Sequence, residues 1–444
     1  MNKEFQKKQN FFSFSDIDSE RKDRIMKFTS TEATPAPHVP PGVLRLTGAA
    51  KEDIPMYRIQ TMNKISPVGL NRFPSELYEV GDAVQDPQGI LVRSAKLLNL
   101  EFNPGLLAIA RAGVGVNNIP LDRCAAAGIP VFSTPGANAN AVKELVICAM
   151  LMGSRDIPGA IRWVREQAAS GVDVSTVVEK GKSAFIGPEL YKKTLGIIGL
   201  GAIGSIVANT AISLGMDVYG YDPFLSVDTA LRLDRHVHVV KDINDLYKRS
   251  DYITMHIHYT EKTAHMIDAS AIAAMKRGVR VINLARGEIV DDEAMLTALD
   301  TGMVAAYITD FPNNRLLTAP HVIAMPHLGA STPESEQNCA AMAVDTLRDY
   351  LESGNIRSSV NLPEMTMDRS GVQRLCVLHK NVPGMLANIT SLFGRDGVNV
   401  ENLSNKSRGD YAYTMVDLGS KVGDNVIEDV RRTANVIRVR SLEW

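Results

Sequence analysis

Two side chains in this sequence are placed to hold an acid and to move a proton. Arg286 sits in Asn283-Leu-Ala-Arg-Gly287 at the end of a predicted strand, and His327 follows another in Pro326-His-Leu-Gly-Ala-Ser331. An arginine at a strand end can grip a carboxylate in a two-pronged pair and polarise a neighbouring carbonyl. An imidazole titrates near neutrality, so it can take the hydroxyl proton of an alcohol while hydride leaves the carbon. Taken alone, each residue is more often structural. Together they ask for a hydride acceptor, and the chain has a place for one.

That place is Leu195-Gly-Ile-Ile-Gly-Leu-Gly-Ala-Ile-Gly204. Leu195, Ile197 and Ile198 read as a buried parallel strand, and Ile203 to Leu214 reads as an apolar helix. Between them Gly199, Gly201 and Gly204, with Ala202 and Ile203, have GxGxxG spacing. The first glycine permits a tight turn, the second admits a pyrophosphate, and the third packs helix on strand. The phosphates then meet the free N–H groups of the helix N-terminus. A second strand, Met216–Tyr221, ends at Asp222, eighteen residues past Gly204, where a carboxylate accepts ribose hydroxyls. Asp222 repels a 2′-phosphate, and Pro223 and Phe224 bring no cation, so NAD is expected over NADP.

The rest of the chain must position these groups. Its 444 residues predict two or three domains, and 45% hydrophobic with 22% charged residues describes a soluble globular protein. A net charge of −2 argues against nucleic acid as a partner. Cys124, Cys148, Cys339 and Cys376 are scattered and form no CxxC, which predicts neither a disulfide framework nor a zinc site and fits a cytoplasmic protein. No apolar run reaches the ~18 residues of a membrane span.

Residues 1–52 are expected to be a mobile N-terminal extension. Thr29 to Pro41 is too rich in proline for a helix, and Phe11-Phe12 and Phe14 could dock on a neighbouring subunit. From Tyr57 strands and helices alternate: Tyr57–Met62, Gly89–Val92, Leu107–Arg111 and Ile129–Phe132 are candidate strands, with a helix from about Asn140 to Leu151. Strands Tyr252–His256, Arg280–Leu284, Val304–Ile308 and Val322–Met325 extend the nucleotide unit, and helix Glu334–Leu351 returns to the first unit. The expected architecture is α/β: two Rossmann-like or flavodoxin-like parallel-sheet domains around a cleft, 53–155 with 333–365 for substrate and 156–332 for NAD. Residues 370–444 read as βαββαβ, a ferredoxin-like module without a nucleophile or acid–base pair.

Arg111-Ala-Gly-Val-Gly-Val-Asn117, Ser133-Thr-Pro-Gly-Ala-Asn138, Gly199–Gly204, Asn283–Gly287 and Pro326–Thr332 together resemble the D-isomer-specific 2-hydroxyacid dehydrogenases over about 54–444. The resemblance is strongest to members that carry a C-terminal ACT regulatory domain. It implies NAD-dependent oxidation of 3-phosphoglycerate to 3-phosphohydroxypyruvate, in a homodimer or homotetramer. It makes Arg286 the orienting arginine and His327 the acid/base. Gly113, Val114 and Gly115 would hold the substrate carboxylate, and Arg93, Ser94 and Lys64 its phosphate. His256, Thr260, Ala285 and Asp310 fall where the family lines the cofactor cleft. His379, Asn381 and Asn399 match positions that hold L-serine, an inhibitor, across paired ACT domains.

One departure stands out. The family's glutamate between the arginine and the histidine, which favours the charged ring, is missing from Thr309-Asp-Phe-Pro-Asn-Asn-Arg315. Asn313 or Asn314 could orient the ring instead, with activity then expected at higher pH; Asp310 or Glu144 could also serve as the carboxylate. A second departure is His258-Tyr259, where the family often has proline. A dehydrogenase of unphosphorylated acids and a non-catalytic NAD-dependent sensor are the competing functions, to be separated by NADH consumption.

Overall fold

The computed structural model describes residues 56–444. The N-terminal extension and its phenylalanines lie outside the described residues. The first sheet has five parallel strands, β1 (Tyr57–Met62), β2 (Tyr78–Gly81), β3 (Gly89–Val92), β4 (Ala108–Arg111) and β5 (Val131–Phe132), in the order β2-β1-β3-β4-β5. Every residue of β3 is buried, as a strand covered on both faces requires. Helix α1 (Ala139–Arg155) leaves this unit with Val142, Val146, Ala149 and Met150 on its buried face. Gly153 lets it approach closely, since a Cβ there would lie 2.7 Å from Ile308.

The second sheet has seven parallel strands: β6 (Thr194–Ile198), β7 (Asp217–Tyr221), β8 (Val237–Val240), β9 (Tyr252–Met255), β10 (Val279–Asn283), β11 (Val304–Thr309) and β12 (Val322–Ala324). Their order is β12-β11-β10-β9-β6-β7-β8, so the chain winds outward in both directions from the β6–β9 pair. That reversal opens a crevice at the carboxyl ends of the strands, where ligands bind in folds of this plan. Helix α2 (Ala202–Ser213) follows β6 directly.

Helix α3 (Pro333–Ser353) then crosses back. The Thr332 hydroxyl caps it by accepting from the Ser335 N–H at 3.1 Å. Its Cys339, Ala343, Leu347 and Tyr350 share one core with Ile59, Leu91 and Phe132. The first sheet is therefore completed by a helix from far along the chain. Beyond it lies an antiparallel sheet of β13 (Gln373–Lys380), β14 (Val400–Arg408), β15 (Tyr411–Leu418) and β16 (Val436–Glu443), in the order β14-β15-β13-β16. Helices α4 (Met385–Arg395) and α5 (Asp424–Arg432) cover one face through Ile389, Phe393, Ile427 and Val430.

The other face docks on the end of α3. Cys376, Leu378, Tyr413 and Met415 join the core of the first unit. Polar groups fix the contact: Arg440 donates to the Tyr350 and Leu351 carbonyls at 3.1 and 2.8 Å, and the Tyr413 hydroxyl to the Gly354 carbonyl at 2.6 Å. These carbonyls lie at the helix C-terminus, where a guanidinium meets the favourable end of the dipole. Gly354 takes the left-handed conformation that ends α3, with φ +74°.

Candidate active site

The glycine turn after β6 is dictated by space. Gly199 has φ +91°, and a Cβ on it would lie 2.6 Å from the His256 carbonyl oxygen. A Cβ on Gly204 would come to 1.9 Å from the Gly199 carbonyl oxygen, so strand and helix can cross only here. A Cβ on Gly201 would meet nothing within 4 Å, which leaves the N-terminus of α2 open to a pyrophosphate. Asp222 at the end of β7 accepts the Leu200 N–H at 2.9 Å and the Phe224 N–H at 2.8 Å. Each carboxylate oxygen keeps a lone pair for a ribose hydroxyl. The turn and its carboxylate suit a dinucleotide.

His256 continues β9 into the cleft. Its Nε2 lies 3.2 Å from the Thr254 hydroxyl, while its Nδ1 is shielded from solvent without a partner. Burial pushes the ring down to about 4, so it is neutral at physiological pH. Thr260 is exposed, and its hydroxyl lies 3.1 Å from that of Thr263.

Arg286, His327, Arg93, His256 and the Gly113–Gly115 loop line one cleft of about 700 Å³ between the first and second sheets. Ser94, Ile203 and Ala285 also line it. The turn carrying Arg286 is locked by Asn283, which is fully buried, donates to the Arg286 carbonyl at 2.8 Å and accepts the Ala285 N–H at 3.1 Å. A Cβ on Gly115 would lie 3.4 Å from Nη2 of Arg286, so the loop and the guanidinium meet directly. His327 stands exposed in the cleft, its ring 4.7 Å from that of Phe311. The arrangement can hold a carboxylate between Arg286 and backbone N–H groups while an imidazole reaches the adjacent carbon's oxygen.

Asp310 lies close enough to His327 for the charge of that ring to act on its carboxyl. Asp310 is 1% exposed, and the backbone N–H groups of Gly329 and of Asp310 itself approach its oxygens without a well-aligned hydrogen bond. Burial pushes its carboxyl up, while the charges of His327 and Arg286 pull the other way. The asparagines proposed as substitutes point elsewhere. Asn313 donates to Asp292 at 2.6 Å and accepts the Arg315 N–H at 3.1 Å, and Asn314 is exposed. Glu144 is exposed on α1 and accepts from Asn140 at 2.9 Å.

Also in the lining of the cleft, Arg93 pairs with Glu336 of α3 at 2.8 Å. Asn63, with φ +75° after β1, accepts the Ser94 N–H at 3.0 Å and so fixes the turn that follows β3. Lys64 is exposed at the end of β1 and does not belong to the lining. Arg111 does: its Nε donates to the Arg93 carbonyl at 2.9 Å, and burial lowers its pKa. Arg111 opens the Arg-Ala-Gly-Val-Gly motif at a strand end, which was the signal for it. Ser335 and Glu336, also in the lining, had no such signal.

In the third sheet His379 is buried, with Nδ1 2.8 Å from the Lys380 carbonyl and Nε2 2.9 Å from the Thr414 hydroxyl. Asn381 donates to the Gly409 carbonyl at 3.1 Å. Asn399 donates to Glu401 at 3.0 Å, and its carbonyl accepts the Gly419 N–H at the opposite end of β15. Within one chain, then, Asn399 is not brought together with His379 and Asn381.

Residues 147–329 match the D-isomer specific 2-hydroxyacid dehydrogenase, NAD binding domain. The D-3-phosphoglycerate dehydrogenase of Escherichia coli (strain K12) is 33% identical over 82% of this chain and 89% of its own length. The chain belongs to the D-isomer specific 2-hydroxyacid dehydrogenase family. Its second sheet is accordingly that family's NAD-binding domain, and NAD is its cofactor. The D-3-phosphoglycerate dehydrogenase of Synechocystis sp. is 36% identical over 71% of this chain. The chain spans 56% of that relative, and 55% and 60% of those from Methanocaldococcus jannaschii and Bacillus subtilis, so little more than half of each. Among solved structures, the NAD⁺-bound 3-phosphoglycerate dehydrogenase of Entamoeba histolytica is similar at 26% identity and TM-score 0.54, over 69% of this chain and 99% of that one. No helix among the described residues is long and apolar enough to cross a membrane.

Proposed function

We propose that this family member oxidises 3-phospho-D-glycerate to 3-phosphohydroxypyruvate with NAD, the first step of L-serine biosynthesis, in the cytoplasm. The observation that carries the proposal is the meeting of Arg286, His327 and the Gly113–Gly115 loop in one cleft that Arg93 and Ser94 also line. Arg286 and the loop's N–H groups hold the substrate carboxylate and fix the face of C2. His327 takes the C2 hydroxyl proton as the C2–H bond breaks, and Asp310 stabilises the imidazolium so formed. NAD, when bound, supplies the acceptor of the hydride. Arg93 and Ser94 receive the phosphate on C3, two carbons along from the carboxylate carbon held by Arg286.

Residues 53–155 with 333–365 serve in this reading as the substrate domain, 156–332 as the NAD domain and 370–444 as an ACT domain. The separation of Asn399 from His379 and Asn381 supports an effector site shared between two chains. β14 is an exposed edge. Antiparallel pairing of two such edges places Asn399 of one copy near His379 and Asn381 of the other. L-serine bound there would inhibit from a distance by acting on how the third sheet seats on α3.

The test is NADH consumption with phosphohydroxypyruvate, beside hydroxypyruvate and glyoxylate. Phosphohydroxypyruvate should be preferred. Arg286→Ala and His327→Ala should abolish turnover while NADH still binds. Turnover surviving in both variants would refute the assigned roles.

A further inference from the structure

The cleft carries, in Glu336, a charge that a phosphorylated substrate does not need. Glu336 pairs with Arg93, and the two side chains are 45% and 39% exposed. Around that pair the site is built for an anion. Arg111 lies against the Arg93 backbone. Ser335 is also in the lining; it is only 3% exposed, and its buried hydroxyl oxygen has no hydrogen-bond partner. The N-terminus of α3, a helix of 21 residues, presents its positive end at the same place. A carboxylate there competes with whatever anion arrives.

We propose that Glu336 is a specificity-determining residue, which holds Arg93 when no phosphoryl group is bound and is displaced from it by one. The inference rests on the phosphorylated substrate proposed above. Exposed ion pairs are weak, whereas a guanidinium grips phosphoryl oxygens two at a time, so the exchange favours the phosphoryl group. The displaced carboxylate remains on the first turn of α3, and its like charge opposes the dianion. Glu336 thus weakens the hold on phosphorylated acids while leaving Arg286 alone. An unphosphorylated acid leaves the Arg93–Glu336 pair closed.

The experiment compares the full chain with Glu336→Gln and Glu336→Asp in NADH-dependent reduction of phosphohydroxypyruvate and hydroxypyruvate. Glu336→Gln should lower KM for phosphohydroxypyruvate roughly fivefold, with the change in KM rather than kcat. KM for hydroxypyruvate should move by less than about twofold, because that acid never meets the carboxylate. Glu336→Asp keeps the charge and should keep the weaker hold on phosphohydroxypyruvate. A second arm needs no turnover: inorganic phosphate should raise the thermal midpoint more in Glu336→Gln than in the parent chain. An unchanged or raised KM, or equal changes for both acids, would overturn the proposal. If the parent chain reduces hydroxypyruvate but not its phosphate, the substrate assignment fails instead. Equal phosphate-induced midpoints in both proteins would then overturn the role of Glu336 separately.

Discussion

Arg374 and Asp417 form a two-pronged ion pair, at 2.5 and 2.7 Å, with neither side chain exposed at all. The remaining guanidinium protons go to the Ser353, Met367 and Asp368 carbonyls, so the third sheet is stapled to the end of α3 and the segment after it. A buried pair is weak evidence of net stabilisation, but breaking one half strands the other charge. Asp417→Asn should therefore cost about 3–5 kcal/mol in urea unfolding. Replacing both residues with apolar ones of similar size should not recover it, because the Ser353, Met367 and Asp368 carbonyls then lose their donors. A loss under about 1 kcal/mol in the single variant would mean the pair is solvated in solution.

In the proposed reaction Asp310 gives up stability for chemistry. Burial raises its carboxyl pKa, so the folded chain holds that proton more tightly than the unfolded chain does. Its contribution is most favourable at low pH and is lost as pH rises through the raised value. Asp310→Asn removes that loss. The variant should melt above the parent at neutral pH, and the difference should vanish below about pH 4. Its kcat should fall, because no carboxylate then faces the imidazolium. A variant that is both less stable at neutral pH and fully active would contradict this account.

Gly204 has no room for a side chain. A methyl there would drive into the Gly199 carbonyl oxygen, which backs the turn under α2. Gly204→Ala should thus push α2 off β6 and weaken NADH binding by at least about tenfold, read by quenching or enhancement of NADH fluorescence, with a lower melting temperature. Gly201→Ala has open space to occupy, so its effect should appear only where the pyrophosphate sits: weaker binding with an unchanged melting temperature.

The parallel strands were legible from short apolar or alternating stretches bounded by turn residues, a continuous apolar run in Gly89–Val92 and an alternating one in Tyr57–Met62. Tyr57–Met62 and Gly89–Val92 coincide with β1 and β3. Where local sequence and tertiary pairing conflict, reading fails. Asn402–Arg408 is polar enough to pass for a loop, yet β14 runs to Arg408 because β15 pairs with it along its length. The helix Ile157–Ala169 goes unread because Pro158 and Gly159 look like a turn. Asp156, with φ +42°, caps it by accepting the Gly159 N–H at 3.1 Å, and the proline fits the first turn of a helix. Motif residues at strand ends pointed to Arg286 and His327. The orientation of Asn313 toward Asp292 and the approach of Glu336 to Arg93 belong to tertiary structure, and no local spacing encodes them.

The residues proposed to hold L-serine make the most demanding prediction. His379 pairs across from Ala412 near one end of β15, and Asn399 holds Gly419 beyond the other end. At about 3.4 Å per residue these ends are roughly 20 Å apart, too far for one amino acid to touch both. If L-serine binds between paired β14 edges, each site takes Asn381 from one copy and Asn399 from the other. Asn381→Ala and Asn399→Ala should then each abolish serine inhibition in homo-oligomers. Unfolding and refolding the two variants together should restore it in part, because a mixed pair contains one site with both asparagines intact and one with neither. Restoration would appear as partial inhibition in the mixture and none in either variant alone. Mixtures as insensitive as the separate variants would place the effector site, if there is one, within a single chain.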